Sequence, residues 1–493
     1  MMKSKVLPLS LIPSFWASES ASSPALHHEG KTLSWLDLEN VTNQKAKLYE
    51  EYGVKKNDFV VIGHPNSFNF FISCFSAWKV GATPMPISSK LPNIELDAIL
   101  NLCQPALVDG INYDKVSAKW KYIPPNFAID EKTSSIPLDT RIADSWKAMT
   151  SGGSTGRPKV IVSKDKAEHD IYSRDFLNFD GSVLIPGPLY HNGPFLWAMH
   201  ALFQGNKVTI TTRFNALETL FLIQEQNVDT VYLVPTMMHR IWKLSSEEKE
   251  SVNLKSLKTI WHLASPCPLW LKHKYIDWFG PEKIWELYGG TEGIGFTIIN
   301  GIEWLKHEGS VGKAGDDFEI RILDNKNQIL PPREVGEVFL KRYDGVGNKY
   351  FYIGATATRT KDGWESYGDM GYLDESGYLY LTDRKTDMIL SGGANIYPAE
   401  VEAAIDKHSK VRSSVVIGMP DDDLGNTVHA IIDVDKNDIT TDEILLHLSK
   451  HLVQYKIPRT VEFTHTILRD EAGKVRRKDL REERIRKRSI QKT

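Results

Sequence analysis

Cysteine is nearly absent. Cys74, Cys103 and Cys267 are scattered through 493 residues, too few and too far apart for a disulfide framework or a zinc site, and a reducing cytoplasmic setting suits them. An excess of one charge is also missing. Sixty basic residues face 63 acidic ones, for a formal net charge of −3, which argues against bulk electrostatic binding to nucleic acid or a membrane surface. No window approaches the ~20 apolar residues of a transmembrane helix. Lys3 and Lys5 precede an apolar stretch that could mimic an export signal, but Pro8 and Pro13 interrupt it, and the segment reads as a lead-in. There is no internal repeat and no low-complexity block. What is left, 41% hydrophobic and 25% charged, is the composition of a globular chain too long for a single core, so at least two domains are expected.

Local patterns sketch the fold class. Ser34 followed by Asp37 predicts a capping box, with Leu38, Val41 and Leu48 on one helix face and Gly53 as the stop. Phe59–Ile62, Val208–Ile210, Val231–Val234, Thr259–Trp261 and Ile284–Trp285 have strand length and β-branched or aromatic character. Alternation of such strands with helical segments predicts α/β layers with mostly parallel sheets, whose ligands sit at the carboxyl ends of the strands. Pro235-Thr236, Ala264-Ser265-Pro266 and Tyr288-Gly289 follow predicted strands and are expected to converge. After residue 310 the pattern turns β-rich. From about residue 387 it becomes a small α+β unit, with a helix over Val401–Ile405 and strands at Val415–Ile417 and Ala430–Ile432. The expected division is 1–383, a hinge at 384–386, and 387–493. From Arg476 to Lys492 nine basic and three acidic residues read as a solvated terminal helix.

One loop carries more chemistry than any other. Thr150 to Lys159 reads TSGGSTGRPK. Gly152, Gly153 and Gly156 allow sharp bends that turn backbone N–H groups toward an anion. Ser151, Ser154 and Thr155 add hydroxyls, and Arg157 and Lys159 add charge. The spacing is not that of a Walker A loop, because Arg157-Pro158 follows Gly156. A loop of this composition alone could equally be a flexible turn. Its companions are Tyr288-Gly289-Gly290-Thr291-Glu292-Gly293, Tyr367-Gly368-Asp369, Asp383-Arg384-Lys385, the run SGGANIYPAEVE from Ser391 to Glu402, and Gly473-Lys474-Val475-Arg476.

This ordered set resembles the adenylate-forming superfamily of acyl-CoA synthetases, free-standing adenylation domains and beetle luciferases. The resemblance runs nearly end to end, from KTLSWLDLENVTNQKAKLYEEYGV to Lys474, and several motifs in the right order are far more specific than one. It implies ATP-dependent conversion of a carboxylate to an acyl-adenylate, then thiol attack with release of AMP. By the same resemblance, Thr150, Ser151, Gly152, Gly153, Ser154, Thr155, Gly156 and Lys159 hold the β- and γ-phosphates, Thr291 reaches the α-phosphate, and Glu292 binds Mg²⁺. Tyr288 stacks on adenine beside Ala264, Ser265 and Pro266. Asp369 accepts the ribose hydroxyls and Arg384 assists. Lys474 delivers one point charge between the substrate carboxylate and the α-phosphate, as a long stem and compact ammonium allow. The small domain then swivels, bringing Ser391, Gly392 and Gly393 to the thiol's channel. The pivot, Asp or Lys in many relatives, falls here on Thr386.

Acetate-specific relatives carry Trp at the position of Gly289. Here Gly289 and Gly290 leave room for a longer or bulkier acid. Pro188 to Phe195 (PLYHNGPF) is similar to the segment of fatty-, aryl- and bile-acid-type CoA ligases. His191 is expected to gate the carboxylate end, and Trp197, Val234, Thr236 and Met237 to line the wall, though each also suits plain core. No acid near Phe195 suits an amino-acid substrate. The acceptor is expected to be coenzyme A, with a carrier-protein phosphopantetheine arm as the alternative. A non-catalytic nucleotide or acyl-ligand sensor is a second alternative, and oligomeric state is left open.

Overall fold

The computed structural model describes residues 4–112, 119–130, 132–152, 158–173, 177–392, 394–435, 439–470 and 473–491. The first long helix, Trp35–Glu51, starts where the pattern places it. Ser34 accepts the Asp37 N–H at 3.1 Å, and the Asp37 carboxylate returns to the Ser34 N–H at 3.2 Å. Such reciprocal capping satisfies two amides that no helix can satisfy internally.

The large N-terminal domain is mixed α/β. In its main sheet five parallel strands lie in the order Ile284–Gly289, Thr259–His262, Thr230–Leu233, Ser182–Ile185, Lys207–Ile210, with Pro24–His28 parallel at the far side. The apolar residues of the inner strands are buried on both faces, as parallel strands require, while Trp285 and Leu287 on Ile284–Gly289 are half-buried. A second parallel sheet pairs Thr83–Pro86, Phe59–Ile62, Leu107–Asp109 and Tyr122–Ile123. The β-rich segment after residue 310 is hydrogen-bonded onto the main sheet, because Phe296–Asn300 turns back antiparallel on Ile284–Gly289 and passes the ladder to Ser310–Ala314. A three-stranded antiparallel sheet, Tyr350–Ile353, Pro158–Ser163 and Ala148–Gly152, closes one flank. Tyr288-Gly289 forms the last residues of its strand rather than the loop beyond it.

The smaller C-terminal domain is α+β: Val411–Asp421, Gly425–Val434 and Thr460–Thr464 make a sheet covered by Pro398–Ile405, Thr441–Ser449 and Arg477–Gln491. Its apolar residues, among them Ile396, Val401, Val416, Ile432 and Ile444, form a core of their own. The last helix is docked, which corrects the expectation of a solvated one. Arg477 and Arg469 clasp the buried Glu402 at 2.6 and 2.7 Å, Arg484 meets Glu462 at 2.8 Å, and Leu480 and Ile485 pack on the sheet. Burial pulls the Glu402 carboxyl up, but the two guanidiniums outweigh it and hold it below its ordinary value. No helix among the described residues is long and apolar enough to cross a membrane.

Candidate active site

The carboxyl ends of the parallel strands open onto one cavity of about 2450 Å³, where ligands of open α/β sheets bind. Thr150, Lys159, His191, Trp197, Thr236, Ala264, Ser265, Pro266, Tyr288, Gly289, Gly290, Thr291, Glu292, Asp369, Arg384 and Lys474 all line it. Val234 does not. It caps the helix Pro235–Trp242 at 1% exposure, inside the core. Gly153, Ser154, Thr155, Gly156, Arg157 and Gly393 lie outside the described residues, as do the side chains of Ser151 and Gly152. Ser391 and Gly392 are off the cavity wall, the Gly392 N–H donating to Leu424 O at 2.9 Å.

The strands flanking the Gly/Ser loop pair Thr150 with Val160 and Ser151 with Lys159, so Lys159 leaves the sheet at the loop's base. Its ammonium lies 3.4 Å from Glu292 Oε1 and 3.1 Å from the Tyr352 hydroxyl. Tyr352 also donates to Glu292 Oε1 at 2.6 Å. Burial and the Glu292 charge raise the Tyr352 hydroxyl well above its ordinary value, so it remains a donor. Tyr352 is a site residue that sequence reading missed, since only the long-range pairing of Tyr350–Ile353 with Pro158–Ser163 brings it here. Gly290 is forced: a Cβ there would lie 2.3 Å from the Tyr367 ring.

Among the described residues no three His, Cys, Asp or Glu side chains cluster as a metal cage. A single carboxylate facing open cavity fits Mg²⁺, which is held by one or two carboxylates with substrate phosphates and water filling the other positions.

Asp369 is braced from two sides. Tyr288 donates to Oδ2 at 2.8 Å and Arg384 Nε lies 3.0 Å from Oδ1. The Asp369 charge raises Arg384 further, and burial with Asp369 keeps the Tyr288 hydroxyl protonated. An ionised carboxylate has about four lone-pair sites, so both oxygens retain capacity for two vicinal hydroxyls. The Tyr288 ring faces the cavity with its hydroxyl committed to Asp369. Opposite, Ala264 adopts φ +76, a left-handed conformation costing a non-glycine residue ~1–2 kcal/mol. Such strain is characteristic of ligand-binding loops.

Lys474 reaches this wall from the C-terminal domain. Its N–H donates to Asp470 Oδ1 at 2.8 Å, and Asp470 N–H returns to Lys474 O at 2.9 Å. Gly473, at φ +76, seats the loop against the large domain: a Cβ there would lie 3.3 Å from Thr236 Oγ1 and 3.5 Å from Ser265 Oγ. The Lys474 side chain is exposed to the cleft. Enclosure lowers its ammonium, Asp470 raises it, Arg384 lowers it and Glu292 raises it, so it stands within electrostatic reach of the groups around Glu292 and Asp369. His191 Nε2 is 3.9 Å from Asp470 Oδ2. Burial, then the Lys474 charge, push the imidazole down to about 3, leaving His191 neutral at physiological pH. Two further contacts hold the domains in this arrangement, Lys243 Nζ to Val411 O at 2.5 Å and Arg476 to Glu95 at 3.3 Å.

Known proteins match this chain in sequence and in fold. Residues 15–351 match the family model for the AMP-binding enzyme, and residues 400–474 match that for the AMP-binding enzyme C-terminal domain. A feruloyl-CoA synthase from Amycolatopsis sp. is 28% identical, covering 94% of this chain and 96% of its own. A fatty acid–[acyl-carrier-protein] ligase from Streptomyces coeruleorubidus is 26% identical over 95% of both. The solved structure of o-succinylbenzoate CoA synthetase from Bacillus subtilis, in complex with its acyl-adenylate intermediate, shares the fold with a TM-score of 0.82. It is 23% identical and covers 97% of this chain and 98% of its own.

Proposed function

The chain belongs to the AMP-binding enzyme family, and from that premise we propose how its cleft divides the work of an AMP-forming acid–thiol ligase. The enzyme activates a carboxylic acid with ATP as acyl-AMP, then forms the coenzyme A thioester. A carboxylate oxygen attacks the α-phosphorus and pyrophosphate leaves. In the second half, the thiolate attacks the acyl carbonyl and AMP leaves. The first step must bring two anions together and then stabilise charge growing on the α-phosphate, which fixed cations and donors do best.

Thr150 to Lys159 cradle the outer phosphates, and Thr291 meets the α-phosphate. Glu292 would hold Mg²⁺, which would neutralise charge on the phosphate oxygens. Asp369, oriented by Tyr288 and Arg384, takes the ribose hydroxyls between Tyr288 and the Ala264–Pro266 loop. Lys474 bridges the reacting carboxylate and the α-phosphate. Neutral His191 borders the acid without adding a competing charge. The observation that carries this reading is that Lys474, from the far domain, shares one cleft with Glu292, Arg384 and His191.

The arrangement suits the first half-reaction, because Lys474 is inside while Ser391 and Gly392 are away from the cavity. The second half-reaction requires residues from 387 onward to rotate about 384–386, withdrawing Lys474 and turning Ser391–Ile396 to the cleft. Gly289 leaves space for a medium-to-large acid of fatty, aryl or steroid type, whereas the space beside Gly290 is taken by the Tyr367 ring. The experiment is AMP release with ATP, Mg²⁺ and coenzyme A over a panel of acids, with products followed by mass spectrometry. A coenzyme A thioester from one acid class is expected. Adenylate without thioester would move the acceptor to a carrier protein, as the name of the Streptomyces relative suggests. Silence across the panel would overturn the ligase reading.

A further inference from the structure

The helix Asn192–Phe203 lends residues from more than one of its faces to the cavity wall. Gly193 and Trp197, four apart, look toward Tyr232: a Cβ on Gly193 would lie 2.4 Å from the Tyr232 hydroxyl, and Trp197 meets the Tyr232 ring at 5.5 Å. Asn192, Leu196 and His200, also four apart and so stacked on one face, meet a different set of lining residues, which makes a side chamber: His200 lies 5.9 Å from the Trp146 ring and 5.0 Å from the His169 ring, and Asn192 accepts from Lys147. Nothing in the reaction described above uses that chamber.

Lys147 is its unusual feature. Among the described residues of the large domain four lysines are buried: Lys45, Lys79, Lys147 and Lys272. Three of them hold a carboxylate, Lys45 with Asp109 at 2.6 Å, Lys79 with Glu39 at 2.8 Å and Lys272 with Glu286 at 2.5 Å. Lys147, 7% exposed, has no carboxylate at ion-pair distance among the described residues. Its ammonium donates to the neutral Asn192 Oδ1 and lies 4.6 Å from the centre of the Trp146 ring. Asp165 is near enough to raise the group, but its carboxylate is turned to Lys349 at 3.4 Å and to Ser163 at 3.5 Å.

An ammonium has three donors, and here one finds a hydrogen-bond acceptor among the described residues. Leaving a buried cation so poorly matched is costly. Accordingly, burial lowers Lys147 to about 7, while His200 is lowered by burial, by His169 and by Lys147. The chamber wall is apolar at Trp146, Leu177, Leu196 and Phe203 and polar at Lys147 and His200, a combination that holds a carbon chain and grips an oxygen at one point.

We propose that Lys147 is the anchor of a second subsite for the acid, binding an oxygen acceptor, a carboxylate foremost, at the end remote from the reacting carboxyl. The substrate class is then acids with a distal oxyanion or carbonyl, and the ligand supplies the partner that the other three buried lysines find within the chain. This rests on the ligase reading for the reacting end alone.

The test is a series of α,ω-dicarboxylates of increasing length, with the matching monocarboxylates and ω-oxo acids. Each acid is measured by AMP release and by calorimetric binding, on the wild type and on Lys147→Met and Lys147→Arg. At one chain length the wild type should favour the diacid over its monoacid about tenfold or more. Lys147→Met should erase about ten- to a hundredfold of that ratio, the range of one charge-assisted hydrogen bond, with ATP affinity retained, and Lys147→Arg should restore part of it. A greater gain for the ω-oxo acid than for the diacid would identify a neutral carbonyl as the bound oxygen. Monoacids preferred at every length by the wild type, or equal losses for both acids in Lys147→Met, would overturn the subsite and leave the ligase standing. Lys147-dependent diacid binding without turnover of any acid would keep the subsite and remove the ligase. Should Lys147→Met not fold, the wild-type ratio and Lys147→Arg decide.

Discussion

On the large-domain side of the cleft the two carboxylates of the nucleotide wall are cross-braced. Glu292 is held by Tyr352 at 2.6 Å, and Asp369 by Tyr288 at 2.8 Å and Arg384 at 3.0 Å. On the small-domain side, the loop carrying Lys474 is fixed through its backbone to Asp470, and among the described residues its ammonium makes no hydrogen bond. The first wall is preorganised, with its donors and charges in place before a ligand arrives, which is how fixed electrostatics lower a barrier. The second presents Lys474 on a long stem, which the proposed domain rotation would withdraw. In the proposed reading one chain thus combines a rigid nucleotide platform with a removable charge, as a two-step reaction with two different nucleophiles requires.

That contrast can be strained at several points. Gly289→Trp fills the rigid side: a Cβ at Gly289 already lies 3.1 Å from Phe296 Cβ, so a large ring is expected to turn out over the part of the cavity that Leu287 and Phe296 line. The kcat/KM for the best bulky acid should fall about a hundredfold while ATP affinity is kept, and unchanged kinetics would place the acyl pocket elsewhere. Tyr352→Phe removes one brace and leaves the carboxylate. The Mg²⁺ concentration for half-maximal activity should rise about tenfold, as for outer-shell partners of metal ligands. Arg476→Ala cuts an exposed ion pair between the domains, Arg476 to Glu95 at 3.3 Å. Screened pairs contribute little, so kcat should change by no more than about threefold, and a large drop would mean that the domains depend on that pair.

The smallest effect concerns pH. His191 stays neutral in the folded protein down to about 3, against 6.5 as its ordinary value. Between those values the unfolded chain binds the extra proton, so the contribution of this group is present above about 6.5 and lost as pH falls. In denaturant titrations at pH 5 and pH 7, His191→Gln should lose less stability on acidification than the wild type. Equal losses would show that His191 does not carry the difference.

Much of this was legible in residues close together in the chain. The Ser34 cap, the strand at Phe59–Ile62 and the helix around Val401–Ile405 follow from local periodicity, and the structure has each. Glu292, Asp369 and Lys474 were nominated by short motifs and line one cavity. What stayed hidden depends on pairing across the chain. Tyr352 stands 60 residues from the Glu292 it braces, and Lys147 looks like one more strand-edge lysine until the helix at Asn192 packs over it. The terminal helix was misread because its charge was counted and its spacing was not. Arg477, Arg481 and Arg484 recur at helical period, and that face is the one that meets Glu402, Gly418 O and Glu462. Val234 shows the converse, an apolar residue beside a site that serves only the core.

The most direct test separates the two half-reactions in Lys474→Ala. ATP–pyrophosphate exchange with a good acid and thioester formation from the synthetic acyl-adenylate are measured on the same preparation. Exchange is expected to fall by about a hundredfold to a thousandfold, the cost of removing one group aimed at transition-state charge, with the second activity largely retained. Near-normal exchange in that variant would contradict the account of a rigid platform completed by one delivered charge.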